Sequence, residues 1–281
     1  MKKRRTPGIE ILSDDDLKKM RRAGLVVARA LNEMTNAARV GMTTAEIDAI
    51  AVEVLANAGA TSSFLGYEPM KGIPPYPGVT CVSVNEEVVH GIPSQRVLKD
   101  GDLLSIDFGA ILQGVHGDAA RSVGIGTLQS DIETLSEVTR DSLWAGIGAA
   151  HLGGRIGDIS NAIERSITKA GTYGIIKGFT GHGIGHNMHQ PPDVPNYGPK
   201  GRGALIERGL CLAIEPMVSL GGSRTDVLDD DWTIVTTDNS VAAHWENTIT
   251  VTRYGIWVLT EEDGGEEALN RLGLPFGPLS D

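Results

Sequence analysis

The 281-residue sequence predicts an α+β fold made of two related halves. Apolar residues recur at helical spacing behind capping residues, and strand-like apolar runs bounded by turn residues lie between these segments. A strand pattern that ends in a carboxylate occurs twice along the chain. With 41% hydrophobic and 22% charged residues, the chain has enough apolar material to bury a substantial core. We therefore expect a single domain over residues 1–281.

Four segments carry helix signals. Ser13 begins an acidic turn followed by apolar residues near one helical face, and Thr43 opens a capping box before an apolar stripe that Gly59 ends. Ser130 and Asp158 are predicted to cap two later helices. Strand-like runs are found at 79–84, 103–111, 115–123, 210–218, 232–236 and 248–252.

The two halves of the chain echo each other. Residues 101–107 and 209–215 both place Gly six positions and Ile one position before a carboxylate. A capped helix precedes each of these strands in the same order. The repetition predicts two carboxylate-bearing strands that face each other about a pseudo-twofold axis. A chance resemblance between two buried strands is the alternative explanation.

Composition and charge exclude several classes of protein. With 25 Lys+Arg against 36 Asp+Glu the net charge is −11, which argues against nucleic acid as a main partner. Two cysteines, Cys81 and Cys211, are too few for a disulfide framework and favour a reducing compartment. The basic start gives way to acidic residues at Asp14 before any secretory apolar region, so residues 1–12 are predicted to be a flexible tail. No run of about 18 apolar residues predicts a membrane span.

Four carboxylates lie in or beside apolar strands, where a charge is costly unless something compensates it. Asp107 and Asp118 lie on runs joined by a predicted hairpin, while Glu215 and Glu246 border two later strands. His182 adds an imidazole in a Gly-rich segment. This donor set suits two divalent ions of the Mn, Fe, Co or Zn kind, which can ionise a water for hydrolysis. Taken singly, each acid is better explained as a strand-end cap or a buried ion pair.

Seven short stretches, spread over nearly the whole chain, carry a family resemblance. They are NEEVVHGIP (85–93), SID (105–107), HGD (116–118), TGHGIG (180–185), AIEPM (213–217), DWT (231–233) and WENT (245–248). Together they resemble the type I methionine aminopeptidases. The resemblance implies the pita-bread fold, in which two pseudo-twofold-related α/β halves with antiparallel sheets enclose a metal site. The short interval between His189 and Glu215 leaves no room for the helical insertion of type II enzymes.

The resemblance also implies a dinuclear centre of two divalent metal ions. Its ligands would be Asp107, Asp118, His182, Glu215 and Glu246, with Asp118 and Glu246 bridging. Water would attack the carbonyl of the first peptide bond, and Glu215 would carry the proton from that water to the leaving amine. The resemblance leaves the identity of the ions open, because affinity and cellular supply decide it together.

Further side chains are assigned to the substrate by the same resemblance. His189 would hydrogen-bond the scissile carbonyl, and His90 would contact the neighbouring amide. The methionine pocket would be formed by Tyr67, Cys81, Met188 and Trp232, with Tyr76 and Phe179 as additional candidates. The remaining histidines, for which ordinary core or surface roles are predicted, are His116, His151, His186 and His244.

Three departures from the family pattern affect the neighbourhood of the site. The segment 68–78 is longer than the usual family loop, so the register of Tyr76 is open. Met188 stands where an aromatic residue is common, and Asn247 follows Glu246 where His is frequent.

The function implied is removal of the initiator methionine from nascent chains with a small second residue. The expected setting is the cytoplasm near the ribosome, with the enzyme as a monomer and without a membrane or sequence-specific nucleic acid partner. An X-Pro hydrolase of the same fold, as in aminopeptidase P and prolidase, is the first alternative. A non-catalytic binding protein on this scaffold and an acidic domain without a site are the others.

Overall fold

The computed structural model describes residues 8–280. The helices within this range are α1 (Asp14–Ala37), α2 (Thr44–Ala58), α3 (Ser130–Ala149), α4 (Ile156–Ala170) and α5 (Glu266–Arg271). The strands within this range are β1 (Thr61–Ser62), β2 (Cys81–Val84), β3 (Glu87–Val89), β4 (Leu103–Leu112), β5 (Val115–Gly124), β6 (Gly174–Ile175), β7 (Gly181–Gly183), β8 (Gln190–Val194), β9 (Cys211–Ile214), β10 (Met217–Ser219), β11 (Thr225–Val227), β12 (Ile234–Thr236), β13 (Ala242–His244), β14 (Asn247–Val251) and β15 (Ile256–Val258).

Local capping chemistry sets the helix ends. Ser13 accepts a hydrogen bond from Asp16 N at 3.2 Å at the start of α1, and Thr43 forms the predicted capping box at the start of α2. Two predicted caps are wrong, Ser130 by one position and Asp158 by three, since the N-cap residues are Gln129 and Arg155. Gln129 precedes α3 without a side-chain cap, and Asp158 lies in the first turn of α4, where its carboxylate accepts from a backbone N–H.

The first half of the fold is a four-stranded antiparallel sheet covered by α1 and α2. In this sheet β4 pairs with β1, β2 and β5. The predicted hairpin joins β4 to β5 through Gln113 and Gly114, both with positive φ, as a two-residue hairpin turn requires. Phe108, fully buried, packs in the apolar core between this sheet and the two helices.

The second half repeats this arrangement with α3 and α4 on a five-stranded antiparallel sheet of order β15-β14-β9-β7-β8. The isoleucines of α4 form one buried stripe toward this sheet, namely Ile156, Ile159, Ile163 and Ile167. The run predicted as one strand over 210–218 is broken at Glu215 and Pro216, because proline has no N–H to donate to a ladder. The break turns Glu215 out of the sheet at the end of β9.

The segment before α1 corrects one prediction. Residues 8–12 are not a free tail: Leu12 is buried and its N–H donates to Gly209 O at 2.8 Å. Ile9 and Ile11 pack against the apolar core of the second half. The rest of the predicted tail, residues 1–7, lies outside the described residues. Among the described helices, none combines the length and apolarity needed to cross a membrane.

Candidate metal centre and substrate cavity

The five predicted metal ligands lie on elements of both sheets. Asp107 on β4 and Asp118 on β5 are diagonal neighbours, since Asp107 is opposite Ala120 in the ladder, and they share one face of the first sheet. His182 lies on β7, Glu215 directly follows β9 and Glu246 directly precedes β14. Because β7, β9 and β14 are adjacent, these three side chains reach the same edge of the second sheet.

The structure brings these groups into contact. One ligand atom each from Asp118, His182 and Glu246 lies within 4.8 Å of the others, and His182 Nε2 is 3.5 Å from Glu215 Oε1. The carboxyl group of Asp107 lies within hydrogen-bonding reach of that of Asp118. Three buried carboxylate oxygens have no hydrogen-bond partner among the described residues: Asp107 Oδ1, Asp118 Oδ1 and Glu246 Oε1.

The electrostatics of the cluster call for a cation. Burial raises the pKa of Asp118 to about 7. Burial also raises the pKa of Asp107, Glu215 and Glu246 well above the ordinary range, and the neighbouring carboxylates add to each increase. A divalent ion removes both penalties because it supplies opposite charge and fills the unpartnered lone pairs. The donor set therefore fits the divalent metal that the sequence predicts.

The surroundings of His182 suit the role of a neutral metal ligand that the sequence predicts for it. Its Nδ1 lies 2.9 Å from Gly183 O, so the ring proton resides on Nδ1 and is donated to that carbonyl. Burial lowers the pKa of His182 to about 3, which keeps Nε2 unprotonated near neutral pH. An Nδ1–H to carbonyl bond of this kind fixes ring orientation in many metal sites.

A cavity of about 470 Å³ is lined by all five predicted ligands. The four predicted pocket residues, Tyr67, Cys81, Met188 and Trp232, all line it, as do Tyr76 and Phe179. Sequence reasoning missed Phe64 and Ile73, which also line the cavity. Phe64 lies in the irregular segment after β1, outside any helix or strand, so no apolar period marks it.

The long 68–78 segment forms part of the cavity wall. Tyr76 is 2% exposed, and its hydroxyl donates to Thr80 O at 3.1 Å or Gly91 O at 2.9 Å. Its ring meets the Trp232 ring edge to face at 5.0 Å, and the indole N–H donates to Pro74 O at 2.9 Å. The sequence leaves the register of Tyr76 open. The structure places its ring in the cavity wall, where the ring is buried and its hydroxyl is hydrogen-bonded.

The two predicted catalytic histidines line the same cavity. His90 has a positive φ of 61°, and its ring lies 5.8 Å from Phe179 and 6.1 Å from Trp232. Burial lowers the pKa of His90 to about 4. His189 is more exposed, lies 4.4 Å from the ring of His182 and contacts the Tyr67 hydroxyl.

His244 is a cavity residue for which the sequence predicts only an ordinary role. Its Nε2 is buried without a hydrogen-bond partner among the described residues, 3.8 Å from Glu215 Oε2 and 3.9 Å from Glu246 Oε2. The spacing of two residues from Glu246 in extended chain is the signal that places it on the same side. The other histidines lie elsewhere, with His116 bonded to Ser63 and His186 paired with Glu10.

Comparison with known proteins identifies the family. Residues 18–253 match Metallopeptidase family M24. Methionine aminopeptidase 1 of Mycobacterium tuberculosis is 49% identical over 254 residues, 88% of this chain and 93% of that protein. Methionine aminopeptidase of Clostridium acetobutylicum is 44% identical over 253 residues, 90% of this chain and 98% of that protein.

Comparison with solved structures gives the same family and fold. The crystal structure of methionine aminopeptidase from Thermotoga maritima superposes with a TM-score of 0.86 at 40% identity, covering 90% of this chain and all of that one. Prolidase from Pyrococcus furiosus, at 19% identity and a TM-score of 0.69 over 89% of this chain and 65% of its own, shares the fold. The pita-bread fold and the type I resemblance predicted from sequence are confirmed. The chain therefore belongs to metallopeptidase family M24 and, within it, to the methionine aminopeptidases.

Proposed function

We propose that the protein hydrolytically removes N-terminal methionine from nascent polypeptides whose second residue is small. The observation that carries the proposal is the convergence of four carboxylates and an imidazole from both halves in one apolar cavity rich in aromatic rings and sulfur. The identity of 49% to a methionine aminopeptidase supports the same reaction.

Asp107, Asp118, His182, Glu215 and Glu246 would hold two divalent ions drawn from Mn, Fe, Co or Zn. Four carboxylates carry more negative charge than one divalent cation neutralises. Three of their buried oxygens have no hydrogen-bond partner among the described residues. When bound, such ions polarise a carbonyl and make water a stronger nucleophile near neutral pH. Glu215 would receive the proton of the attacking water and donate it to the leaving amine.

The cavity histidines would orient the substrate. His189 would donate to the scissile carbonyl or the oxyanion that develops from it, and His90 would contact the next amide. The methionine side chain would fill the space among Cys81, Met188 and Trp232, where sulfur and ring edges give favourable contacts to a thioether.

The setting of the reaction is part of the same proposal. The enzyme would act as a single catalytic domain over residues 1–281, as a monomer, in the cytoplasm close to the ribosome. Its family membership and its relatives' names support a peptide with an N-terminal methionine as the substrate. The net charge of −11 favours peptide over nucleic acid as the partner.

The test uses chelator-treated protein and three peptides: Met-Ala-Ser, Met-Leu-Ser and Ala-Pro-Ser. With Mn, Fe, Co or Zn restored in turn, we expect release of Met from the first peptide and little from the second. Asp107→Asn should abolish release while the protein stays folded by circular dichroism. Release of Ala from Ala-Pro-Ser would support the X-Pro alternative, and no turnover with any ion would support a non-catalytic scaffold.

A further inference from the structure

The acids Asp118 and Glu246 belong to different halves of the fold, yet the backbone of Glu246 is hydrogen-bonded to that of Ala120, two residues after Asp118. Within the described residues β5 pairs only with β4, so its other edge is open toward the second half. At that edge Glu246 N donates to Ala120 O at 3.0 Å and Ala120 N donates to Glu246 O at 3.4 Å. The separation of the two acids therefore depends on how this short contact is held.

The hydroxyl of Thr248 holds the backbone of Asp118. Its Oγ1 donates to Asp118 O at 2.7 Å and accepts from Asp118 N at 3.1 Å, across 130 residues of sequence. Thr248 is fully buried, so water does not compete for either bond. The backbone N–H of Thr248 in turn donates to Thr260 Oγ1 at 3.0 Å, which fixes the start of β14.

The guanidinium of Arg121 holds the backbone of Glu246. Its Nη1 donates to Glu246 O at 2.7 Å and to Ala120 O at 2.9 Å. Its Nη2 donates to Glu261 Oε1 at 2.6 Å and to Asn247 Oδ1 at 3.1 Å. A planar guanidinium reaches these four acceptors at once, whereas the single nitrogen of lysine does not.

Asn247 locks this guanidinium in place. Its Nδ2 donates to Glu261 Oε1 at 3.0 Å, while its Oδ1 accepts from Thr260 Oγ1 at 2.7 Å as well as from Arg121. The side chain is buried, so its orientation is set by these bonds. Asn247, which departs from the family pattern, therefore supports the position of Arg121 in this chain.

We propose that Arg121 and Thr248 form a reciprocal clamp that sets the separation of Asp118 and Glu246 and thereby the affinity of the metal centre. Arg121 follows Asp118 by three positions and holds Glu246, while Thr248 follows Glu246 by two and holds Asp118. Both are positioning residues, since each acts through the backbone of an acid. The inference rests on the ligand set of the proposed function.

The first test measures Mn binding to chelator-treated protein by calorimetric titration. Thr248→Val keeps the shape of the side chain but loses both bonds to Asp118, and we expect the affinity for Mn to fall about tenfold or more. Thr248→Ser keeps the hydroxyl and should bind Mn as the wild type does. Thermal unfolding of the metal-free variants is recorded alongside.

Thr250→Val is the matched control. Thr250 lies on the same strand and is also fully buried, but its hydroxyl donates to Leu210 O at 3.0 Å, away from the acids. This variant should lose stability and keep its affinity for Mn. If the clamp exists, Thr248→Val lowers the affinity for Mn and Thr250→Val does not. If Thr248 has only a structural role, both variants lose stability and neither loses affinity for Mn.

Arg121→Lys separates the effect of charge from that of hydrogen-bond geometry. Because the Arg121 side chain is partly exposed, this variant also tests the clamp if Thr248→Val does not fold. It keeps the positive charge, and we expect Mn affinity to fall nearly as far as in Arg121→Met. Wild-type affinity in Arg121→Lys, or in a folded Thr248→Val, would overturn the clamp.

Asp118→Asn distinguishes failure of the clamp from failure of the proposed function. If Asp118→Asn loses Mn while the clamp variants keep it, the clamp alone is wrong. If Asp118→Asn also binds Mn as the wild type does, the ligand set itself is wrong and the clamp falls with it.

Discussion

The hydroxyl of Tyr67 lies 2.7 Å from Nδ1 of His189, across 122 residues of sequence. The two rings meet at a centroid distance of 5.2 Å, and His189 also lies 4.4 Å from the ring of His182. When the phenol donates to Nδ1, the imidazole proton resides on Nε2. Tyr67 thus prepares the other nitrogen of His189 as the donor for a substrate carbonyl.

We predict that Tyr67→Phe lowers kcat for Met-Ala-Ser about fivefold with little change in KM. The variant keeps the ring and loses one hydrogen bond, for which the typical net contribution is about 1 kcal/mol. Steady-state kinetics on metal-loaded enzyme measure the effect, and Tyr173→Phe, on a residue packed in the core of the second half, is the control. Wild-type kcat in Tyr67→Phe would mean that this hydrogen bond does not orient His189.

The stability of metal-free protein should fall as the pH rises from 5.5 to 7.5. The folded-state pKa of Asp118, about 7, lies above its value in an unfolded chain, and the pKa values of Asp107, Glu215 and Glu246 are raised too. A raised carboxyl pKa means that the folded state holds the proton more tightly. The stability this provides is present at low pH and is lost as the pH rises through the folded pKa.

Mn should reverse that loss, so the increase in Tm on adding Mn should itself grow with pH. Differential scanning calorimetry of chelated and Mn-loaded protein at pH 5.5, 6.5 and 7.5 gives this difference, in which groups far from the site cancel. Asp118→Asn should flatten the pH dependence of the chelated form. An increase in Tm that is the same at all three pH values would contradict the assignment.

Cys81 should react slowly with iodoacetamide at pH 8 although it lines the cavity. It is 4% exposed, and burial together with the charge of Asp107, directly opposite it on β4, raises the pKa of its thiol well above the ordinary value. Little thiolate is then present to react. Mass spectrometry of native and urea-unfolded protein measures the rates, with Cys211 as the internal comparison. Rapid native labelling of Cys81 alone would show an accessible thiolate.

Gly24→Ala should destabilise the protein by about 1–3 kcal/mol, as overpacked cores commonly do. A Cβ at Gly24 on α1 would lie 2.1 Å from Leu259 O, a backbone atom that has no room to move. Gly148→Ala on α3 is the matched control, since its Cβ would meet only the tip of Leu274, at 2.8 Å. Urea unfolding compares the two. Equal stability of both variants would mean that α1 shifts freely on the sheet.

Sequence periodicity was sufficient for the larger elements. The apolar stripe and capping box over α2, and the β4–β5 hairpin with its turn at residues 113–114, depend on residues close in sequence. The strand end near Glu215 is less accurate, because Pro216 interrupts the strand without changing the apolar pattern. The cap of α3 differs by one residue, because Gln129 and not Ser130 occupies the N-cap position. Residues 8–12 do not form the predicted tail, because this short segment buries its apolar residues only against elements that are distant in sequence.

The sequence by itself determined which residue types could form the site: four carboxylates in apolar surroundings, one imidazole among glycines, and the motifs of a known family. Only the tertiary structure decided what lies next to what. Phe64 in the cavity wall and the contacts of Arg121 and Thr248 with acids of the opposite half join residues that are far apart in the chain. Local pattern carries no information on such pairs, since the two halves come into register only when their sheets fold against each other.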